Sequence, residues 1–83
     1  MTNIEQVIEQ YPDESFITLT GYDEAIVGIS SDIRLVYDSE AIIDILARGM
    51  SREDAIEFYE YNVEGSYFGE KSPILMTPKK KII

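Results

Sequence analysis

A chain of 83 residues that is 45% apolar and 11% aromatic reads as one small globular domain: it has too much apolar surface for its acidity to mean disorder, and too little length for a deep, multi-walled catalytic pocket. It contains no cysteine and no histidine, which excludes a disulfide framework, thiolate chemistry, a structural zinc site, and Ser-His-Asp or Cys-His catalysis. The formal charge is −9 and unevenly spread: sixteen carboxylates lie between Glu5 and Glu70 beside three arginines, a net −13, whereas Lys71, Lys79, Lys80 and Lys81 are all late in the chain.

The segment MTNIEQVIEQY has neither a basic leader nor a continuous apolar stretch, and no segment reaches the roughly 18 apolar residues of a membrane span. The expectation is a soluble cytoplasmic protein. An acidic body repels nucleic acid and membrane surfaces and attracts a basic partner.

In chain order, Thr2 as cap, Glu5 three residues later, and Ile4, Val7 and Ile8 at helical spacing predict a short N-terminal helix that Pro12 ends. Ser15–Leu19 alternates and is rich in strand formers, which predicts a first strand, with Gly21 in the turn after it. Ala25–Ile29 predicts a second, in which Gly28 marks either a bulge or a close backbone approach. The polar Ser30-Ser31-Asp32 suits a hairpin, and IRLVY, with Ile33, Leu35 and Tyr37 alternating against Arg34 and Val36, predicts a third. Three sequential strands make an antiparallel meander.

Asp38 or Ser39 can cap the next helix, which places Ala41, Ile42, Ile45 and Leu46 on one face and is expected to stop at a left-handed Gly49. Ser51, with Asp54 three residues on, opens a further helix through about Tyr61, leaving Met50 in the corner between the two. Gly65 and Gly69 then bracket Tyr67 and Phe68, and Pro73 precedes a possible C-terminal edge strand at Ile74–Met76. The expected fold is α+β: the meander, the helical pair across one of its faces, the N-terminal helix and that edge strand, in a domain spanning 1–76, followed by a basic, frayed tail over 77–83.

With histidine and cysteine missing, carboxylate chemistry remains. Asp23, Glu24 and Asp38 are candidates for a divalent-metal or small-ligand site, since Asp38 ends the strand that returns beside the start of the second. Asp32 cannot join them, being a strand length of about 16 Å away. Turn formation and helix capping explain the same residues without a ligand.

Glu53, Glu57, Glu60 and Glu64, at i, i+4, i+7 and i+11, form one stripe of the last helix. Like charges at that spacing cost a few tenths of a kcal/mol per pair, roughly, so the stripe is either a solvated face or an anionic rail that docks a basic groove on another protein. Phe58, Tyr59 and Tyr61, then Tyr67 and Phe68, exceed what one core needs, and some of them suit a partner or dimer surface.

The phrases GYDEAIVGI, LVYD, GMSREDAIEFYEYNV and GSYFGEKSPI, in that order from Thr20 to Ile74, resemble a group of small uncharacterised proteins encoded by tailed bacteriophages. The chain after Leu75 departs from that pattern. The resemblance implies a phage origin and expression in a bacterial cytoplasm, and it brings no catalytic residue and no activity with it. Small phage accessory proteins often bind and redirect host enzymes or block defence systems. The sequence therefore leads to a non-enzymatic protein without a cofactor that binds a host protein of basic surface through Glu53, Glu57, Glu60, Glu64, Tyr67 and Phe68. A metal- or ligand-binding domain, and a structural homodimer or virion-associated module, are the alternatives.

Overall fold

A computed structural model describes residues 3–65, 69 and 72–79 of the chain. Helix α1 (Asn3–Gln10) turns Val7 into the core and packs Ile4 against it, while Ile8, expected on the same face, is exposed. Pro12 cannot donate to the helix and restricts the residue before it, so the chain turns away after Tyr11. The Tyr11 and Phe16 rings meet edge to face at a centroid distance of 6.3 Å.

Ser15–Leu19 does not form the predicted strand. Phe16 and Leu19 still pack on the core, and the Leu19 amide donates to the phenol oxygen of Tyr37 at 2.9 Å instead of to a neighbouring strand. Burial here does not alternate, since Phe16, Ile17 and Leu19 are half-buried and Ser15 and Thr18 exposed; a side chain has taken the place of the ladder. Gly21, with φ of +95°, occupies the third position of a turn closed by the Tyr22 amide on the Leu19 carbonyl, where a left-handed residue is needed. Asp23–Ala25 is a single 3-10 turn, so the next strand starts one residue later than expected.

Strands β1 (Ile26–Ile29) and β2 (Leu35–Asp38) pair antiparallel, with Ile26 opposite Tyr37, Gly28 opposite Val36 and Ile29 opposite Leu35. That register leaves Val27 as an extra residue, a bulge beside Gly28. Their connection is longer than expected, because Ile33 sits in the turn and not on the strand, with φ of +59°. The Ile33 amide bonds Ser30 and the Ser30 amide bonds the Arg34 carbonyl, which is the three-residue hairpin whose last position normally favours glycine.

The third strand is β3 (Ile74–Met76), and it runs parallel to β2, Val36 opposite Ile74 and Asp38 opposite Met76. The sheet is therefore mixed, in the order β1-β2-β3, and not an antiparallel meander. A parallel partner needs a long crossover connection, which the helices between β2 and β3 supply.

Helix α2 (Ser39–Leu46) is capped by Asp38, whose carboxylate accepts from the amides of Glu40 at 2.9 Å and Ala41 at 3.3 Å. It ends without the expected left-handed glycine: Arg48 and Gly49 donate to the carbonyls of Ile45 and Leu46 in tightened turns, and the positive-φ glycines among the described residues are Gly21 and Gly69. Helix α3 (Arg52–Phe58) starts at Ser51, whose hydroxyl accepts from the Asp54 amide at 3.1 Å, and continues as a wider π-helical segment over Tyr59–Glu64.

The core gathers Leu35 and Tyr37 of β2, Ile42 and Ile43 of α2, Ala55, Tyr59 and Val63 from the last helix, and Val7, Ala25 and Ile26. The fold is α+β, with three α-helices and a three-stranded mixed sheet among the described residues. Among the described residues no helix is long and apolar enough to cross a membrane.

Candidate functional site

The last helix presents one side to the core and the other to solvent. Ala55, Tyr59 and Val63 recur at four-residue intervals and are buried, so the opposite side must carry whatever lies between them. Glu53, Glu57, Glu60 and Glu64 are all exposed and border one open cavity of about 720 Å3 together with Ile56 and Tyr61. The sequence-predicted row is thus a single feature in space.

Two apolar members of that cavity were not singled out by the glutamate spacing. Ile56 keeps 39% of its surface exposed, and Tyr61 keeps 78%. Ile56, three residues after Glu53, and Tyr61, four after Glu57, fall beside the glutamates by ordinary helical spacing, although the winding widens to a π-helix over Tyr59–Glu64. Of the three helix aromatics, Tyr59 is the core residue, 4% exposed, while Phe58 lies half out. Glu57 and Tyr61 also border a second hollow of about 320 Å3 with Met50 and Phe58, at the corner where α2 meets α3. Tyr67 and Phe68 lie outside the described residues.

The charge balance around the row follows from where the arginines are spent. Arg34 bonds Asp32 at 2.9 Å, Arg48 bonds Glu24 at 2.8 Å, and Arg52 bridges Glu40 at 2.7 Å and Asp44 at 2.8 Å, tying the start of α3 to α2. Among the described residues none of these ion pairs reaches Glu53, Glu57, Glu60 or Glu64. Arg52, next to Glu53 in the chain, is turned to Glu40 and Asp44 of α2 and not to the row.

Asp23, Glu24 and Asp38 do not assemble as a metal site, and among the described residues no three carboxylates do. Glu24 is taken by Arg48, whose hydrogen bond and charge lower the carboxyl pKa, and Asp38 spends an oxygen on two helix amides. Asp32 belongs to the hairpin, as expected; it accepts from the Ser30 hydroxyl, which lowers its pKa, and from Arg34.

Two buried tyrosines complete the polar interior. Burial pushes the pKa of Tyr37 up, its bond from Leu19 opposes this, and the nearby charge of Asp23 adds to it. Tyr59 is likewise raised by burial and by Glu64, against a hydrogen bond from Ser39, the one buried polar residue among those described. No buried side-chain polar atom among the described residues lacks a partner.

No family model matches the chain, and no curated protein and no solved structure is significantly similar to it.

Proposed function

We propose that the protein is a small acidic accessory protein of phage type that acts by binding, without catalysis, to a basic surface on a host protein and thereby modulates or inhibits it. The observation that carries this reading is the cavity in which four glutamates and two exposed apolar side chains converge while every arginine pairs elsewhere among the described residues. Bare charge costs stability along a helix, and the sequence retains it where a solvated face would tolerate Lys at alternate positions. Ile56 and Tyr61 supply the apolar contact that a purely electrostatic encounter lacks, and tyrosine contributes area at low entropy cost.

The mechanism is steering followed by docking. A concentrated negative field speeds encounter with a basic groove, and partial desolvation over Ile56 and Tyr61 lengthens the bound state. Acidic imitation of a phosphate row makes nucleic-acid-handling and defence proteins the natural class of target. The test is capture from a bacterial host lysate by the wild type and by Glu57→Lys with Glu60→Lys, followed by association kinetics of the captured protein at low and high salt. A basic protein held by the wild type alone, with an association rate that falls steeply with salt, supports the reading. Equal capture by both, or a salt-independent rate, removes it.

A further inference from the structure

The hollow at the corner of α2 and α3 has a chemistry of its own. Its lining is Met50 together with Asp54, Glu57, Phe58, Tyr61 and Asn62, which stand at i, i+3, i+4, i+7 and i+8 of the last helix and so form one stripe. At about 320 Å3 it is at the small end of the roughly 300–1,000 Å3 of ligand-enclosing sites, room for one long side chain and not for a large cofactor.

Within the stripe, rings and carboxylates adjoin. Helical side chains lean toward the N-terminus, so Phe58 and Tyr61 lie over the turn that carries Asp54 and Glu57. Both aromatic residues are exposed, and Met50, half-buried against the core, adds apolar surface at the corner. Neither Asp54 nor Glu57 takes part in an ion pair among the described residues, and at Asp54 it is the amide, not the carboxylate, that Ser51 engages.

The other helix shows what such a pair of carboxylates takes. Glu40 and Asp44, four residues apart on α2, are bridged by the single guanidinium of Arg52 at 2.7 and 2.8 Å. Asp54 and Glu57, three apart, are the same kind of pair, one helical turn from each other. Arg34, Arg48 and Arg52 are all engaged elsewhere, so the chain's own arginines leave this second pair open.

Charge and shape select the occupant. A neutral apolar ligand would take water from two carboxylates and give no bond in return. A divalent ion needs more oxygens than two side chains supply, and among the described residues no third carboxylate gathers here. A lysine ammonium meets a carboxylate as a point charge and offers the rings no plane. A guanidinium bridges two carboxylates with its fork of donors and stacks its face on an aromatic ring.

We infer that this hollow receives an arginine side chain from the basic surface of the partner, its guanidinium bridging Asp54 and Glu57 and stacking on Tyr61, and its methylenes lying against Phe58 and Met50. The inference rests on the protein docking a basic partner as proposed above, and it supplies the anchor that gives a diffuse electrostatic contact its register.

The test is an NMR titration of the isotope-labelled full chain with three blocked five-residue glycine–serine peptides that carry arginine, lysine or citrulline at the centre. The arginine peptide should shift the Met50 methyl and the Phe58 and Tyr61 rings, show contacts from its side-chain methylenes to those rings, and bind about fivefold tighter than the lysine peptide. Citrulline, of the same shape without the charge, should bind at least tenfold more weakly than arginine. Asp54→Asn should weaken the arginine peptide about fivefold and Tyr61→Leu should erase its advantage over lysine, both at exposed positions, whereas Glu9→Gln, the same loss of charge on α1, should do neither. Equal affinity for the arginine and lysine peptides, or a loss at Asp54→Asn no larger than at Glu9→Gln, would overturn the inference. Glu60 borders the row but not the hollow, so Glu60→Lys tells the two failures apart: slowed association of the host protein beside equal arginine and lysine affinities sinks the pocket and leaves the row.

Discussion

Tyr37 is the residue on which the irregular first third of the chain depends, and Tyr37→Phe isolates one atom of it. The ring is fully buried, so the substitution keeps the packing and removes only the oxygen that accepts the Leu19 amide at 2.9 Å. Two effects add. The hydrogen bond itself contributes about 0.5–1.5 kcal/mol net, and an amide left without a partner costs about 1–3 kcal/mol where water cannot reach it. Leu19 is half-buried, so water restores part of the second, and the expected loss is about 1–2 kcal/mol. In a domain of this size each kcal/mol moves the melting temperature by about 4–8 °C, so the variant should melt about 5–15 °C lower. Urea unfolding at neutral pH gives the free energy, and amide exchange gives the location: Leu19, outside any strand, should be protected in the wild type and should lose that protection in the variant. A loss below about 0.5 kcal/mol with Leu19 exchange unchanged would refute the assignment, because the amide would then have another partner.

The same tyrosines set an alkaline limit. Tyr37 and Tyr59 both have pKa values raised above the ordinary 10.0, so above that pH the unfolded chain gives up protons that the fold retains; stability should be undiminished below about pH 10 and fall as pH rises toward the native values, and Tyr37→Phe should flatten the decline seen in urea titrations at stepped pH. Asp38→Ala removes the cap of α2 and should cost about 0.5–2 kcal/mol in urea unfolding, without the larger loss expected had Asp38 been a metal ligand in a loaded site. At Ile33, where φ is +59°, the usual order of alanine over glycine should reverse: both substitutions lose the same side chain, but alanine keeps the left-handed strain of about 1–2 kcal/mol, so Ile33→Gly should exceed Ile33→Ala by about 0.5–1 kcal/mol in thermal unfolding after the added chain entropy of glycine.

What the residues disclosed depended on how local each feature was. The caps at Asp38 and Ser51 were legible because a cap is a contact between residues two or three apart, and the buried Leu35 and Tyr37 of β2 were legible because alternation directly records which face is buried. Ser15–Leu19 misled because its strand formers Phe16, Ile17 and Leu19 are half-buried without alternating, and nothing local distinguishes a ladder from the single long-range bond to Tyr37. Ile33 misled because a β-branched residue at positive φ violates the propensity rule, and its strain is sustained by the two backbone bonds of the turn. The place of β3 beside β2, parallel to it, is a long-range pairing that the helical crossover permits and that no local pattern announces. In the candidate site, the glutamate spacing was readable from a helical period, and so was the place of Ile56 and Tyr61 beside it, three residues after Glu53 and four after Glu57; the wider winding after Phe58 is what no residue type signals.

The most direct test of the glutamate row as a docking surface is the association rate of the captured host protein with the wild type and with Glu57→Lys plus Glu60→Lys, measured across a salt series. Electrostatic docking predicts a wild-type rate that drops steeply with salt and a variant rate that is low and nearly flat, with both variant positions, being exposed, leaving the fold unchanged. Identical rates and identical salt slopes for the two proteins would contradict it and leave the row a solvated face.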